Sequence, residues 1–347
     1  MKKEYALSEQ FAIISLDGLS CSHYSMAKGA ALRGIAAAQL LEEILFGEKE
    51  GQGAAELSGA GEFQRKFEAG IDSVKKMDRK KLKALEKETS NFLLADGGLE
   101  IVPDLLGCDM NYYTASITIK SYRSDRDCYL SVTESVRGEI LEDGPVTLEC
   151  VGLLWLMRES GCLHDIFSVK EQERIQERIV SLCAQSSRSM ETEKPEDASA
   201  GDREKEAETG GQPEGQNGAW KLTDADFVSM IWGQEFHKTA EQTVKSFLKG
   251  KRKLFQNPYL EGINLLFPFL DRRQAIFVDF VVFGTTVKDR RQMMRAFLTE
   301  KGHYVEEVKS GTETLLLIDN AYYRVWPKTV SCGRIPIQGA SLQPVYR

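Results

Sequence analysis

The stretch YSMAKGAALRGIAAAQLLEEILF, Tyr24 to Phe46, reads as one long helix, because it is dense in Ala and Leu, both strong helix formers. Its apolar residues are not confined to one stripe. Met26, Ala31, Leu32, Ile35, Ala38, Leu41 and Leu45 cover most of the circumference. A helix that is apolar nearly all round belongs in a core. Arg33 breaks the pattern, falling at helical spacing in line with Ala37, Leu40 and Ile44. A guanidinium cannot lose its charge, so on that stripe it needs a carboxylate, a carbonyl or a bound anion. Two readings stay open: an internal ion pair, or an anion site near the amino end of a core helix, where free backbone amides also favour negative charge.

Outward from this helix, residues 6 to 16 (ALSEQFAIISL) read as a short helix with Ser8 as its N-cap, followed by an Asp17-Gly18 turn. A polar, glycine-rich loop spans residues 47 to 60. A second long helix is expected from Glu62 to Glu88, carrying the basic run Lys75-Lys76-Met77-Asp78-Arg79-Lys80-Lys81 and Lys83. That run is either a solvated face or a surface that docks on something acidic, such as a membrane. The Gly-Gly turn in NFLLADGGLEIV, Asn91 to Val102, suggests a β-hairpin, and SITIKSY, Ser116 to Tyr122, alternates like a strand. Helix returns over 125 to 141. Pro145 opens the next one, which ends at Gly161, and the box Ser168 to Glu171 starts a further helix that runs to about Cys183.

Residues 184 to 218 are low in apolar side chains and rich in Glu, Ser, Gly and Pro, the composition of a disordered acidic linker. Beyond it, a helix after Thr223, a basic cluster (Lys249, Lys251, Arg252, Lys253) and the apolar segment NPYLEGINLLFPFLD form a helical connector, 219 to 273. From 274 to 347 the pattern is a buried strand in QAIFVDFVVFG, a helix capped by Thr286 and Asp289, then HYVEEV, TLLLID and YYRVWP, with a short strand around Arg334 to Ile337. The predicted class is α+β: a mainly α-helical domain with a hairpin over 1 to 183, then the linker and connector, then a small β-α-β-β-β domain.

Composition limits the function. The chain of 347 residues has 42% hydrophobic and 28% charged residues, ordinary for a globular protein, and a net charge of -7, which argues against nucleic acid as the main partner. Seven scattered cysteines with no CxxC read as small hydrophobes in a reducing, cytoplasmic setting. No metal, cofactor or catalytic constellation is predicted: the four histidines are far apart, and no phosphate-loop, dinucleotide, metalloprotease or nucleophile-elbow motif occurs. His164 beside Cys162 lacks a third member, Glu42-Glu43 and Glu306-Glu307 read as solvated pairs, and SCGR, Ser331 to Arg334, reads as a turn.

Two stretches resemble the Golgi phosphoprotein 3-like family, which includes bacterial members. One is Tyr24 to Glu43, where Leu32-Arg33-Gly34 follows an aromatic at a fixed distance before an apolar helix. The other is Glu139 to Ile179, similar to the family's carboxyl-terminal helices, and NFLLADGG is similar to its apolar hairpin. The resemblance implies a mainly helical fold with a hairpin. It also implies binding to phosphatidylinositol 4-phosphate in membranes, as in eukaryotic members, which also engage partner tails. Tyr24 would then pack beside an anionic lipid headgroup and Arg33 would pair with its phosphate. For the family's arginine pair this chain offers Lys76, Arg79 and Lys80, at a different spacing to the hairpin, and the resemblance ends before Trp220. The expected function is therefore a non-enzymatic, cytoplasmic, peripheral-membrane protein binding an anionic headgroup through Tyr24, Arg33, Lys76, Arg79 and Lys80. The alternative is a soluble protein-interaction scaffold in which Arg33 only pairs with a core carboxylate.

Overall fold

A computed structural model describes residues 4–46, 60–109, 115, 119–191, 224–232, 275–279, 285–310, 314–332 and 335–345. The architecture is α+β, helical in its amino-terminal part and β-rich in its carboxyl-terminal part. The helical part contains α1 (Leu7–Leu16), α2 (Met26–Phe46), α3 (Ala60–Lys75) and α4 (Arg79–Asp96). A hairpin of β1 (Leu99–Pro103) and β2 (Lys120–Ser124) follows, with a 3-10 turn at Leu105–Cys108 between its strands. Then come α5 (Arg126–Leu141), α6 (Leu148–Ser160), a short α7 (Leu163–Ile166), α8 (Val169–Glu191) and α9 (Asp224–Trp232). The carboxyl-terminal sheet has β3 (Ile276–Asp279), β4 (Val305–Ser310), β5 (Thr314–Ile318), β6 (Ala321–Cys332) and β7 (Ile335–Val345), with α10 (Val287–Glu300) after β3.

As its composition requires, α2 is enclosed. Ala31, Leu32, Ile35, Ala37, Ala38 and Leu41 are buried, and α1, α3, α4 and α6 pack around it. Gly34 lets α1 approach: a Cβ there would lie 2.4 Å from the Phe11 ring. The buried cation of α2 is Lys28 rather than Arg33. Lys28 sits on the stripe of Leu32 and Ile35 and is 2% exposed. Its ammonium lies 2.5 Å from Glu86 Oε1 on α4 and donates to the carbonyls of Ser20 (2.7 Å) and Cys21 (3.2 Å). The Tyr122 hydroxyl on β2 donates to the same Glu86 oxygen at 3.0 Å.

Several local expectations are corrected. The stretch Asn91 to Gly98 is not part of a hairpin: α4 continues to Asp96, and Gly97, at φ 80, is its left-handed cap, donating to the Leu93 carbonyl. A Gly-Gly pair ends a helix as readily as it turns a hairpin. The single helix expected over 62 to 88 is two, because the Asp78 side chain accepts from Lys81 N and starts α4 anew. Ser8 does not cap α1. Glu9 accepts from Ala6 N, while Glu42, expected to be solvated, accepts from Ser8 N and Ser8 Oγ at 2.7 and 2.9 Å. Thr147, not Pro145, opens α6. Helix α8 runs through Glu191, past the expected start of the linker at 184, and the rest of that linker lies outside the described residues.

Of the connector 219 to 273, only Asp224–Trp232 is described; Thr223, the basic cluster at 249 to 253 and NPYLEGINLLFPFLD lie outside. The described helix, α9, buries Phe227, Val228, Ile231 and Trp232 in the core of the helical part. The final sheet is antiparallel in the order β3-β7-β6-β5-β4, so the topology is β-α-β-β-β-β, one strand more than expected. The short strand expected at 334 to 337 is part of β7, which pairs with β6 from Tyr322↔Val345 to Cys332↔Ile335. Gly333 and Arg334 of the SCGR turn are outside the described residues. The predicted caps at Gly161 (φ 74), Ser168/Glu171 and Thr286/Asp289 are present.

The sheet docks on the helical part through the β5–β6 turn. Asp319, at φ 53, accepts from His303 Nδ1 (2.9 Å), Tyr304 N (3.1 Å) and Arg123 Nη1 (3.1 Å). Asn320 Nδ2 donates to Asp17 Oδ1 and the Ser124 carbonyl, both at 3.0 Å. Arg123 also donates to the Gly302 carbonyl, and Cys108 packs into the sheet's core.

Two expected outcomes follow from this packing. Replacing Lys28 by Ala strands Glu86 in the interior and should cost about 3–5 kcal/mol in urea unfolding. The double change Lys28→Met with Glu86→Gln should restore most of it; an undiminished single variant would show the pair is not buried as described. Glu171 supplies the second. Burial raises its pKa, but bonds from Arg137 and from the Ser168 amide and hydroxyl outweigh this and hold it at about 2. Because the folded value is depressed, this contribution is full above the ordinary carboxylate value of 4.5 and fades as pH falls from there toward 2. Glu171→Gln should flatten the melting-temperature profile in that window and leave its neutral slope unchanged.

Candidate functional site

Three of the five residues named from sequence converge at one corner, where α2 passes the junction of α3 and α4. Tyr24 precedes α2 and Arg79 opens α4; the Arg79 guanidinium lies 4.7 Å from the Tyr24 ring centroid. Arg33 Nη2 donates to the Met77 carbonyl at 3.1 Å and Nη1 to the Gly29 carbonyl at 3.3 Å. It thus joins α2 to the α3–α4 corner, with two backbone carbonyls among its partners. Arg33 is half-buried, whereas Tyr24 and Arg79 are exposed.

Gly29 makes the cluster possible. A Cβ at that position would lie 2.4 Å from the Tyr24 hydroxyl and 3.4 Å from Arg33 Nη1, so Tyr24 folds over the bare backbone between the two arginines. The sequence offered Gly29 only as one residue of an Ala-rich run. Lys76 and Lys80 stand exposed on the same corner. Lys76 pairs with Asp72 at 3.4 Å, with both side chains open to water, a contact that holds Lys76 only weakly.

The charge at this corner is unusual in its placement. The end of α3 carries Lys75, which suits the negative pole of a helix. The first turn of α4 carries Arg79, Lys80 and Lys81 and no acid, so three cations crowd the positive pole. Each unfavourable charge there costs a few tenths of a kcal/mol, roughly the size of its favourable counterpart. Arg79, Lys83 and Lys87 extend the basic flank at i, i+4, i+8, all exposed. Lys87 was not among the predicted residues, although this spacing marks it. The opposite flank of α4 contributes Leu82, Leu85 and Glu86 to the core.

Other polar groups are already engaged. A cleft of about 470 Å³, open to solvent, lies between α5, α7 and the sheet and is lined by Arg126, Arg137, Glu134 and Asp165 among others. Its Arg137 is held by Glu171 at 2.5 Å and its Arg126 by Glu306 at 3.5 Å. Burial pushes the Cys21 and Cys108 thiols up to about 11, so both stay protonated near neutral pH. Among the described residues, no group of three or more His, Cys, Asp or Glu is arranged to hold a metal ion, and no helix is long and apolar enough to cross a membrane. Comparison of the chain with protein-family models, with curated proteins and with solved structures finds no match.

Proposed function

We propose that this protein is a peripheral, non-enzymatic binder of an anionic headgroup at a membrane surface, and that the α2/α3–α4 corner is its contact. The observation that carries the reading is the crowding of Arg79, Lys80 and Lys81 at the positive pole of α4, beside Tyr24 and Arg33. A phosphate at that corner would relieve the mutual repulsion and meet free backbone amides of the first turn. Tyr24, about one-third exposed, presents an amphipathic ring at the level where headgroups sit. Lys83 and Lys87 continue the basic flank and would lie along a negatively charged surface despite the net charge of -7 for the whole chain. No cofactor enters this reading.

The scaffold reading rests on a different part of the molecule. Trp326, Ile335, Val308 and Tyr304 of the sheet are exposed apolar or aromatic side chains, at 37%, 68%, 46% and 46%. They favour a protein contact there, which is compatible with headgroup binding at the other end of the chain.

Co-sedimentation of the full chain with neutral and anionic vesicles, at low and moderate salt, tests the proposal. Binding is expected to need anionic lipid and to weaken as salt shortens the Debye length. Arg79→Ala and Lys80→Ala should each weaken it roughly fivefold, the equivalent of ~1 kcal/mol per basic residue at a charged surface. Gly29→Ala should displace the Tyr24 ring and also weaken binding, with no loss of melting temperature, because Ala is the better helix former. Equal sedimentation of wild type and all three variants, or none with any vesicle, would remove the proposal in favour of the scaffold.

A further inference from the structure

The carboxyl-terminal sheet carries α10 on one face, where Met294 and Leu298 pack with Val278, Leu316, Ile318 and Tyr323. Side chains alternate across a strand. On β6, the middle strand of five, Tyr322, Arg324, Trp326 and Lys328 therefore lie on the opposite face. Two contacts agree with this. The Arg324 guanidinium lies 5.8 Å from the Trp326 ring centroid, and Tyr322 lines the cleft toward α5 and α7 together with Leu317, its partner on β5. Trp326 is 37% exposed, and Lys328 is exposed. Opposite them on β7 stand Ser341 and Gly339, so no large β7 side chain flanks the indole. Arg324 lies in one row with Gln343 on β7 and, across Leu315, with Lys309 on β4; both outer residues are exposed.

Ring and cation thus alternate along the strand: Tyr322, Arg324, Trp326, Lys328. Surfaces that hold single-stranded nucleic acid are built from these parts, rings on which bases stack and cations that meet phosphates. The charge agrees. From residue 274 on there are ten Lys and Arg against seven Asp and Glu, in a chain of net charge -7. By register, the acids on this face among the described residues are Glu306, which accepts from the Tyr304 hydroxyl and pairs with Arg126, and Asp279 on the edge strand β3. A protein contact accounts for the exposed indole but not for Lys309 and Lys328, because lysine is depleted at protein interfaces. The row also leads into the solvent-open cleft, whose wall carries Arg126 and Arg137 beside Glu134 and Asp165. Glu306 holds Arg126 at 3.5 Å with both side chains 39–50% exposed, a weak pair that a phosphate would displace.

We propose that the open face of this sheet binds single-stranded nucleic acid along β6. Bases stack on Trp326 and, at the mouth of the cleft, on Tyr322; phosphates pair with Arg324, Lys328 and Arg126. Strand β6 is paired with β7 from Tyr322 to Cys332, so the row is held in place before the ligand arrives. Stacking accepts any base, so the face discriminates single strands from duplexes, whose bases are already stacked on one another, more than it discriminates sequences. The proposal uses none of the residues of the headgroup corner and does not depend on that reading.

The test is fluorescence anisotropy of the full chain with short labelled oligouridylate, oligothymidylate and a mixed-sequence duplex, over a range of salt. Either single strand should bind more tightly than the duplex, and the comparison of the two shows whether RNA or DNA is preferred. Trp326→Ala should weaken binding roughly tenfold, and Trp326→Phe, which keeps a ring, should restore most of it. Lys328→Ala, at a fully solvated position that folding does not depend on, should lower the slope of log affinity against log salt by about 0.7, the value for one phosphate contact on a single strand. The absence of binding to either single strand at low salt overturns the proposal. So does binding that Trp326→Ala and Lys328→Ala both leave unchanged, which would put the contact elsewhere on the chain. Self-association of the wild type in sedimentation, lost in Trp326→Ala and with no oligonucleotide bound, would assign the face to a protein contact and overturn it as well.

Discussion

The ion pair of Lys28 and Glu86 is the constraint that fixes how the helical part closes. An ammonium 2% exposed cannot stand alone, and its partners come from three directions: Glu86 on α4, the Ser20 and Cys21 carbonyls, and, through Glu86, the Tyr122 hydroxyl on β2. A hydrophobic core accepts many side-chain arrangements of similar volume. A buried cation needing a carboxylate and two carbonyls accepts few. The pair therefore sets the position of α4 along α2, and that position brings Arg79, about two turns before Glu86, against Tyr24. The surface corner is a consequence of the interior contact.

The sheet and α9 are attached to the helical part by opposite kinds of force. The sheet docks through a charged and hydrogen-bonded turn. Burial raises the Asp319 carboxyl, but His303 and Arg123 outweigh it and hold the group below its usual range. Next to it, Asn320 bonds to Asp17 and to the Ser124 carbonyl. This is a specific, hydrogen-bonded joint, of the polar kind common between domains of one chain. Helix α9 contributes four apolar anchors, which gives adhesion with looser geometric demand. Direction comes from the first and affinity from the second.

What was legible in the sequence was what is decided locally. The Ala- and Leu-rich pattern placed α2 within two residues, and caps at Gly161, Ser168/Glu171 and Thr286/Asp289 were read correctly because a cap depends on residues three or four apart. The Gly97-Gly98 pair was misread because the same residues suit a helix cap and a hairpin turn, and only the packing of Leu93 against the core decides between them. Strand β7 was read as a few residues because its register depends on β6 and β3, which no local window contains. Of the site, Tyr24, Arg33 and Arg79 do converge, whereas Lys76 and Lys80 share only the surface. Arg33 drew attention as a charge on an apolar stripe, yet Lys28 was the better instance: at i, i+4 and i+7 it lines up with Leu32 and Ile35.

The net charge of -7, which argued against nucleic acid as the main partner, is a sum over the chain and does not describe any one surface. Screening confines an exposed charge's influence to about 10 Å at ordinary ionic strength. A surface contact therefore responds to the charges of one corner and not to the sum over the chain. At the α3–α4 corner the exposed side chains are Lys75, Lys76, Arg79, Lys80, Lys81 and Lys83, with Asp72 and Asp78 as the acids among them, and Asp78 is committed to capping α4. A basic corner on a protein of net negative charge favours one orientation at an anionic surface over others. Under the proposed headgroup reading, the cluster built on α2, with Tyr24 folded over Gly29 beside Arg79, would set that orientation.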